Sequence, residues 1–450
     1  MKKYIIVLAS VIFTGLNAQN IHTGYYSNAF ILQSGSNPAA FPEANTVVGF
    51  PGLSNLNYGL QWPLSLNEVF EKGADDSLRI SFPSIVSNMG KQDVLHLDAR
   101  HQLFHLGFKL GENKNVFTYF GNEVVTDISL RISGDLVDYL SRGNAHYLNR
   151  QMNFDDERLE VSVYHSLYVG AAFEVSEKLN LGLRLKALTG IANVCTEKLH
   201  LGFYTDLESV PVYETTLQAD VLIQTSGMGI ISDSLDFKPT SNSGFAFDIG
   251  AVYKPVEELE FSFALTDIGS IDWAEENNEY HTTDGQIEYV IKGLTQSSSG
   301  AEDLEAQMEE ISDSLSTTME LVNSTGAYST KLQSNLFLGA KYGLNEKHSI
   351  SLLLHSRERF VGRFNVYSVG YQLQMFESFQ LMASYQNFGG INNIGAGFVW
   401  SPGPLQLHLI LDNTLIEDVF DAKNFSVQMG LSFHFGKKKL EEKVNKSNFD

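Results

Sequence analysis

From Asn424 to Phe435 the chain alternates without a break. Phe425, Val427, Met429, Leu431, Phe433 and Phe435 fall on one face of an extended strand, and Ser426, Gln428, Gly430, Ser432 and His434 on the other. Side chains on a strand repeat every second residue, so one face is greasy and the other wet. Large apolar residues on one face and small polar ones on the other suit a membrane β-barrel strand, with hydrocarbon outside and a polar lumen inside. The pattern recurs. Phe104, Leu106, Phe108 and Leu110 oppose His105, Gly107 and Lys109; Leu405, Leu407, Leu409 and Leu411 oppose Gln406, His408, Ile410 and Asp412. Each run is long enough to cross a bilayer when tilted. The sequence therefore predicts an all-β chain, a transmembrane antiparallel β-barrel.

The first residues fit that destination. Lys2 and Lys3 precede an apolar run from Tyr4 to Gly15, followed by Asn17-Ala18-Gln19, which reads as a signal peptide over residues 1–18. No later segment reaches the roughly 18 uninterrupted apolar residues of a spanning helix, so strands must make the crossing. The 31 basic and 53 acidic residues give a formal charge of -22, which repels a phosphate backbone and argues against a nucleic-acid partner. Cys195 is the single cysteine, so neither an intramolecular disulfide nor a cysteine-based metal cluster can form; it reads as a small residue at a strand end.

Counting along the chain places strands near 45–60, 94–111, 115–131, 158–174, 178–194, 242–254, 257–268, 331–343, 347–356, 362–375, 378–388, 391–400, 403–412 and 424–436. That is about fourteen, an even number that leaves both chain ends on one side. Residues 196–205 and 213–225 form a further hairpin, either a continuation above the membrane or two more staves of a sixteen-stranded barrel. Connections near 112–114, 175–177, 255–256, 344–346, 376–377 and 401–402 are short and fall on one side. Most of those on the other side are long. Bacterial barrels have short periplasmic turns and longer outer loops, so both termini are expected in the periplasm. Residues 19–44 are then a periplasmic lead-in or a plug, 45–436 the outer-membrane barrel and 437–450 a periplasmic tail. The outer loops are expected to carry short helices, one over Gly134–Leu140 and one along the stripe Leu304, Met308, Ile311, Leu315, Met319 and Val322.

Candidate chemistry is confined to the lumen face. His96, Asp98 and Arg100 alternate along one strand, and Arg184, Lys186 and Asp248 are similarly placed; such groups pair with one another across a lumen or contact a solute. No nucleophile elbow, zinc-protease helix pair or phosphate-cradling glycine loop is present, so catalytic residues, metal ligands and cofactors are not expected. In Asn37-Pro38-Ala39 the proline blocks ladder pairing and forces a turn, as a plug or a lead-in requires.

Lys178–Val194 and Gly134–Asn144 resemble an uncharacterised family of Bacteroidota outer-membrane proteins, a domain of unknown function, over nearly the whole mature chain. Asn37-Pro38-Ala39 and the strand number are similar, more distantly, to the long-chain fatty-acid transporter group, whose N-terminus forms a hatch in the lumen. No motif of that group's ligand contacts is present, so no ligand residue is carried over. Ser77, Ser234 and Ser314 each stand in Asp-Ser-Leu within expected outer loops, a triplet that resembles the acceptor of O-linked glycans in Bacteroidota. The resulting expectation is an outer-membrane barrel, lodged in outer-membrane lipid, that passes or binds an apolar or amphiphilic small molecule. The alternative is a non-transporting barrel that serves as a scaffold for other outer-membrane or periplasmic proteins.

Overall fold

A computed structural model describes residues 22–62, 64–72, 78–89, 94–208, 214–227, 242–275, 277–282, 287–291, 320–322, 326–360, 362–388, 391–413 and 423–436. Fourteen antiparallel staves close into a ring. In chain order they are β1 (Thr46–Gly49 with Asn55–Gln61), β2 (Val94–Leu110), β3 (Val116–Arg131), β4 (Arg158–Ser176), β5 (Leu179–Thr205), β6 (Ser243–Val256) and β7 (Leu259–Trp273). The second half comprises β8 (Tyr328–Lys331 with Asn335–Gly343), β9 (His348–Arg359), β10 (Gly362–Phe376), β11 (Phe379–Phe388), β12 (Ile391–Trp400), β13 (Leu405–Asp412) and β14 (Asn424–Phe435). Closure comes from β1, which pairs with β14 on one side and β2 on the other, Val48 facing both Phe433 and Leu106. Such a ring leaves no open ladder of peptide groups in hydrocarbon.

The exterior carries the apolar belt that the alternation foretells. Leu181, Leu183 and Leu185 of β5, Leu352 of β9 and Val369 of β10 are exposed, while the intervening Arg184, Lys186, Ser351 and Ser368 are buried inside. Tyr253, Phe261, Tyr342, Phe376, Trp400 and Phe435 are exposed near the short turns, at the level of an aromatic girdle.

The first stave is split, unlike the unbroken strand the sequence suggested. Pro51 has no N–H to give a ladder and Gly52 sits at φ +75°, so Phe50–Ser54 swings out of register. The excursion is pinned on both sides: Phe50 N donates to Leu431 O at 2.8 Å and Gly52 N to Leu103 O at 2.7 Å.

The hairpin after residue 195 adds no stave. β5 runs for 27 residues, about 90 Å at the usual strand rise, far more than a bilayer needs. Its distal half pairs with Thr215–Ser226, which pairs in turn with Asn278–His281 and Ile287–Ile291. Gln151–Phe154 adds to β5 as well. The result is a sheet at the long-loop end.

Among the described residues of these loops lie three short α-helices, Leu66–Val69, Phe82–Asn88 and Gly134–Arg142, the last followed by a 3-10 turn at Asn144–Tyr147. In the last, Ser133 caps the start, its hydroxyl accepting from Leu136 N at 3.1 Å, and Gly143 ends it. Tyr139 packs its apolar face on Tyr147, Phe154 and Phe203. Of the stripe from Leu304 to Val322, only Val322 is described; it lies in the short strand Glu320–Val322, so that end is extended, and the other members lie outside the described residues.

Candidate functional site

Residues 22–44 run through the lumen to its rim. The segment enters with His22 Nε2 at 2.9 Å from His355 Nδ1 and with Thr23 bonded to Ser384 and Asp412. It descends toward the short-turn end, where the Tyr26 hydroxyl meets Ser262 Oγ at 2.8 Å and Asn28 N donates to Gln380 Oε1 at 2.8 Å. A helix of seven residues, Phe30–Ser36, then turns back along the wall. Its first face is apolar: Phe30, Ile31 and Leu32 are all buried, with the Phe30 and Phe117 ring centroids 4.8 Å apart.

Asn37-Pro38-Ala39 ends the helix by an Asx turn, the Asn37 side chain accepting from Ala39 N at 2.9 Å. This tripeptide lies against Gly182 of β5 and Gly250 of β6, which are direct register partners. A Cβ on Gly182 would collide with the Pro38 carbonyl, and one on Gly250 with the Asn37 amide. The two glycines thus cut a slot in the wall that only bare backbone provides. From there the chain reaches the rim, where Lys109 Nζ donates to Glu43 O at 3.2 Å, and enters β1.

Above this segment the lumen is crossed by two networks of buried charge. In the first, Arg184 of β5 pairs with Asp248 of β6 and also donates to Ser34 O at 3.0 Å and Gly35 O at 3.1 Å, satisfying the orphan carbonyls at the end of the lumen helix. Lys186 lies 3.0 Å from Asp248 and pairs with Asp267 of β7. Asp267 in turn meets Arg100 of β2 at 2.8 Å, and Arg100 approaches Glu123 of β3 at 3.9 Å. Three cations thus face three carboxylates. The local charge cancels, which is the condition for burying such groups at all.

The second network crosses the barrel. Asp98 and Asp127 are register partners on β2 and β3, an arrangement that repels on its own. Arg357 reaches them from β9, half the ring away, with Nη1 3.4 Å from Asp98 and Nη2 2.5 Å from Asp127. His96 completes the group, Nε2 at 3.2 Å from Asp98 and Nδ1 at 2.8 Å from Ser129 Oγ. His96, Asp98 and Asp127 carry ligand types suited to a divalent cation, but the Arg357 guanidinium already supplies positive charge to both carboxylates.

The structure thus places Arg100, Arg184, Lys186 and Asp248 in one network and His96 and Asp98 in the other. Sequence reading missed Asp267, Asp127, Glu123 and Arg357. Glu123 and Asp127 share the odd-numbered lumen face of β3 with Phe117 and Tyr119, a signal that simple alternation carries. Asp267 is hidden by a bulge: the register shifts opposite Phe247 and Ile249, and Asp267 takes φ +61°. Without that extra residue its carboxylate would point at lipid; with it, Asp267 N donates to Asp248 Oδ1 at 2.6 Å. Ser77, Ser234 and Ser314 lie outside the described residues, as does the tail 437–450.

Residues 38–412 match the model of a family described as "Family of unknown function (DUF5723)". The chain belongs to that family. No curated protein matches the sequence. Among solved structures, the chain is similar to the toluene transporter TbuX of Ralstonia pickettii, with 9% identity, 90% of this chain and 94% of that chain covered and a TM-score of 0.42. It is also similar to a Pseudomonas aeruginosa FadL homologue, with 11% identity, coverages of 89% and 93% and a TM-score of 0.43. A third similar structure is the Pseudomonas putida toluene transporter TodX, with 10% identity, coverages of 90% and 94% and a TM-score of 0.42.

Proposed function

We propose that this family member is a plugged outer-membrane barrel that binds an apolar or amphiphilic small molecule in its lumen and passes it when residues 22–44 move. One observation carries the reading: the wall behind the plug is not the wet surface of a water-filled pore. Phe117, Tyr119, Phe337, Leu353, Met382 and Ile410 all face inward there and are buried by the plug. Asn45 already joins the ladder, its N–H donating to Phe435 O at 2.9 Å and its carbonyl accepting from Lys109 N at 2.8 Å, but residues 22–44 pair with no stave as a strand; side chains and helix contacts hold them, so their displacement leaves every ladder intact. Displacement exposes an aromatic and aliphatic bore below a charged band, a surface suited to a molecule with a greasy body and a polar end.

The short turns and both barrel ends are assigned to the periplasmic side, and the distal sheet to the exterior, by the usual asymmetry of loop lengths. Liposomes carrying the protein are expected to take up the apolar dye N-phenyl-1-naphthylamine faster than protein-free ones, and faster still when residues 22–36 are deleted. No added uptake by either form, together with no lipid bound after mild purification, would refute the proposal.

A second reading, a non-transporting scaffold, draws support from the charge that ties Arg357 to the opposite wall and closes the lumen. It predicts a stoichiometric partner in pull-downs from native membranes and no dye uptake by the deletion variant.

A further inference from the structure

A cavity of about 290 Å³ lies at the short-turn mouth, between plug and wall. Tyr25, Asn28 and Asn37 line it from the plug, and Lys341, Ser262 and Gln406 from the staves. Lys341 is on the lumen face of β8, in step with Asn335 and Phe337. The other lumen cations of the networks described above, Arg100, Arg184, Lys186 and Arg357, each have a carboxylate within reach. Lys341 has no ion-pair partner among the described residues. The neighbouring carboxylate, Glu260, is engaged by Lys254 at 3.1 Å and does not supply one. Those four cations are each matched within a few ångströms; here positive charge is left over beside an open space.

We propose that this cavity binds an oxyanion, the carboxylate or phosphate of a small molecule, with Lys341 Nζ as its counter-ion. The amide groups of Asn28 and Asn37 each give one N–H to the protein, to Gln374 Oε1 and Ala251 O, and keep a second for the remaining oxygens of the anion. Glu43, Glu260 and Glu377 also line the cavity; Glu260 is paired with Lys254, itself a lining residue, and Glu43 and Glu377 are exposed at the rim, where water and salt screen them. The volume falls just under the roughly 300 Å³ at which small-molecule sites begin, which limits the enclosed part to a compact polar group. Because plug and wall both contribute, the occupant bridges them. The site stands whether or not the lumen passes anything, so its test is separate from that of transport.

Reductive methylation of the detergent-solubilised protein, followed at Lys341 and at the exposed turn residue Lys347 by peptide mass spectrometry, tests the assignment. Inorganic phosphate at ten times its dissociation constant is expected to slow modification of Lys341 about tenfold, with Lys347 unchanged. Protection by octyl phosphate but not by phosphate assigns the anion to an amphiphile's head group, whereas equal protection by both assigns it to a free solute. Lys341→Gln, which breaks no ion pair and leaves the fold intact, is expected to abolish the thermal shift that the protecting anion induces. No protection by either anion, or equal protection by uncharged octanol, overturns the proposal.

Discussion

Single charged residues inside this barrel are tolerated because each network pairs them with opposite charge. Removing one partner of such a network leaves the other charged and dry, which typically costs about 3–5 kcal/mol. Asp267→Asn takes the counter-charge from Lys186 and Arg100 together. A markedly lower unfolding temperature is therefore expected on heated gels that resolve folded from unfolded barrel; a shift within error of wild type would contradict the buried network. The slot for the plug makes a different prediction. Gly182→Val is expected to lift Pro38 and Ala39 off the wall, raising dye uptake while the barrel stays folded, because β5 and β6 keep their ladder. Unchanged uptake in a folded variant would show that Asn37-Pro38-Ala39 does not hold the lumen closed.

At the scale of elements, strands were legible and their irregularities were not. Period-two runs such as Leu405–Asp412 announce both the strand and its lipid face, because each residue's side is fixed by parity alone. A bulge breaks that parity. In β2 the register shifts between Gln102 and Phe104, so His96 and His105 share the lumen although one is even and the other odd. The same device hid Asp267. The plug's path was also invisible, since its contacts with His355, Asp412 and Gln380 join residues more than 300 positions apart.

Local signals fared better, as in the helix Gly134–Arg142 with its Ser133 cap. Ser133→Ala is expected to destabilise that helix by about 1 kcal/mol, read as faster amide exchange there with the staves unaffected. Acid acts on the same element. The Tyr147 hydroxyl and Arg142 hold the Asp138 carboxyl below its ordinary value. A depressed carboxyl stabilises above its unfolded pKa, and that contribution is lost as pH falls through the folded one. Amide protection of Asp138–Arg142, corrected for intrinsic rates, is thus expected to fall below about pH 4 in wild type but not in Asp138→Asn.

At the scale of the whole molecule, a fourteen-stave cylinder is wide enough to need filling, and this chain fills it from its own N-terminal end. Burying Phe30, Ile31 and Leu32 stabilises the seated segment by about 1.5–3 kcal/mol per side chain, so under the proposed function a ligand would have to replace those contacts as it displaces them. Spin labels placed singly from 425 to 433 in a Cys195→Ser background measure both halves of this claim at once. Labels at 425, 427, 429, 431 and 433 are predicted to collide with lipid-soluble oxygen, and labels at 426, 428 and 432 to be shielded from oxygen and from a water-soluble nickel chelate alike. Nickel access at the even positions would reveal an open aqueous pore, and oxygen shielding at the odd ones a soluble layered core; either result contradicts a plugged barrel in lipid.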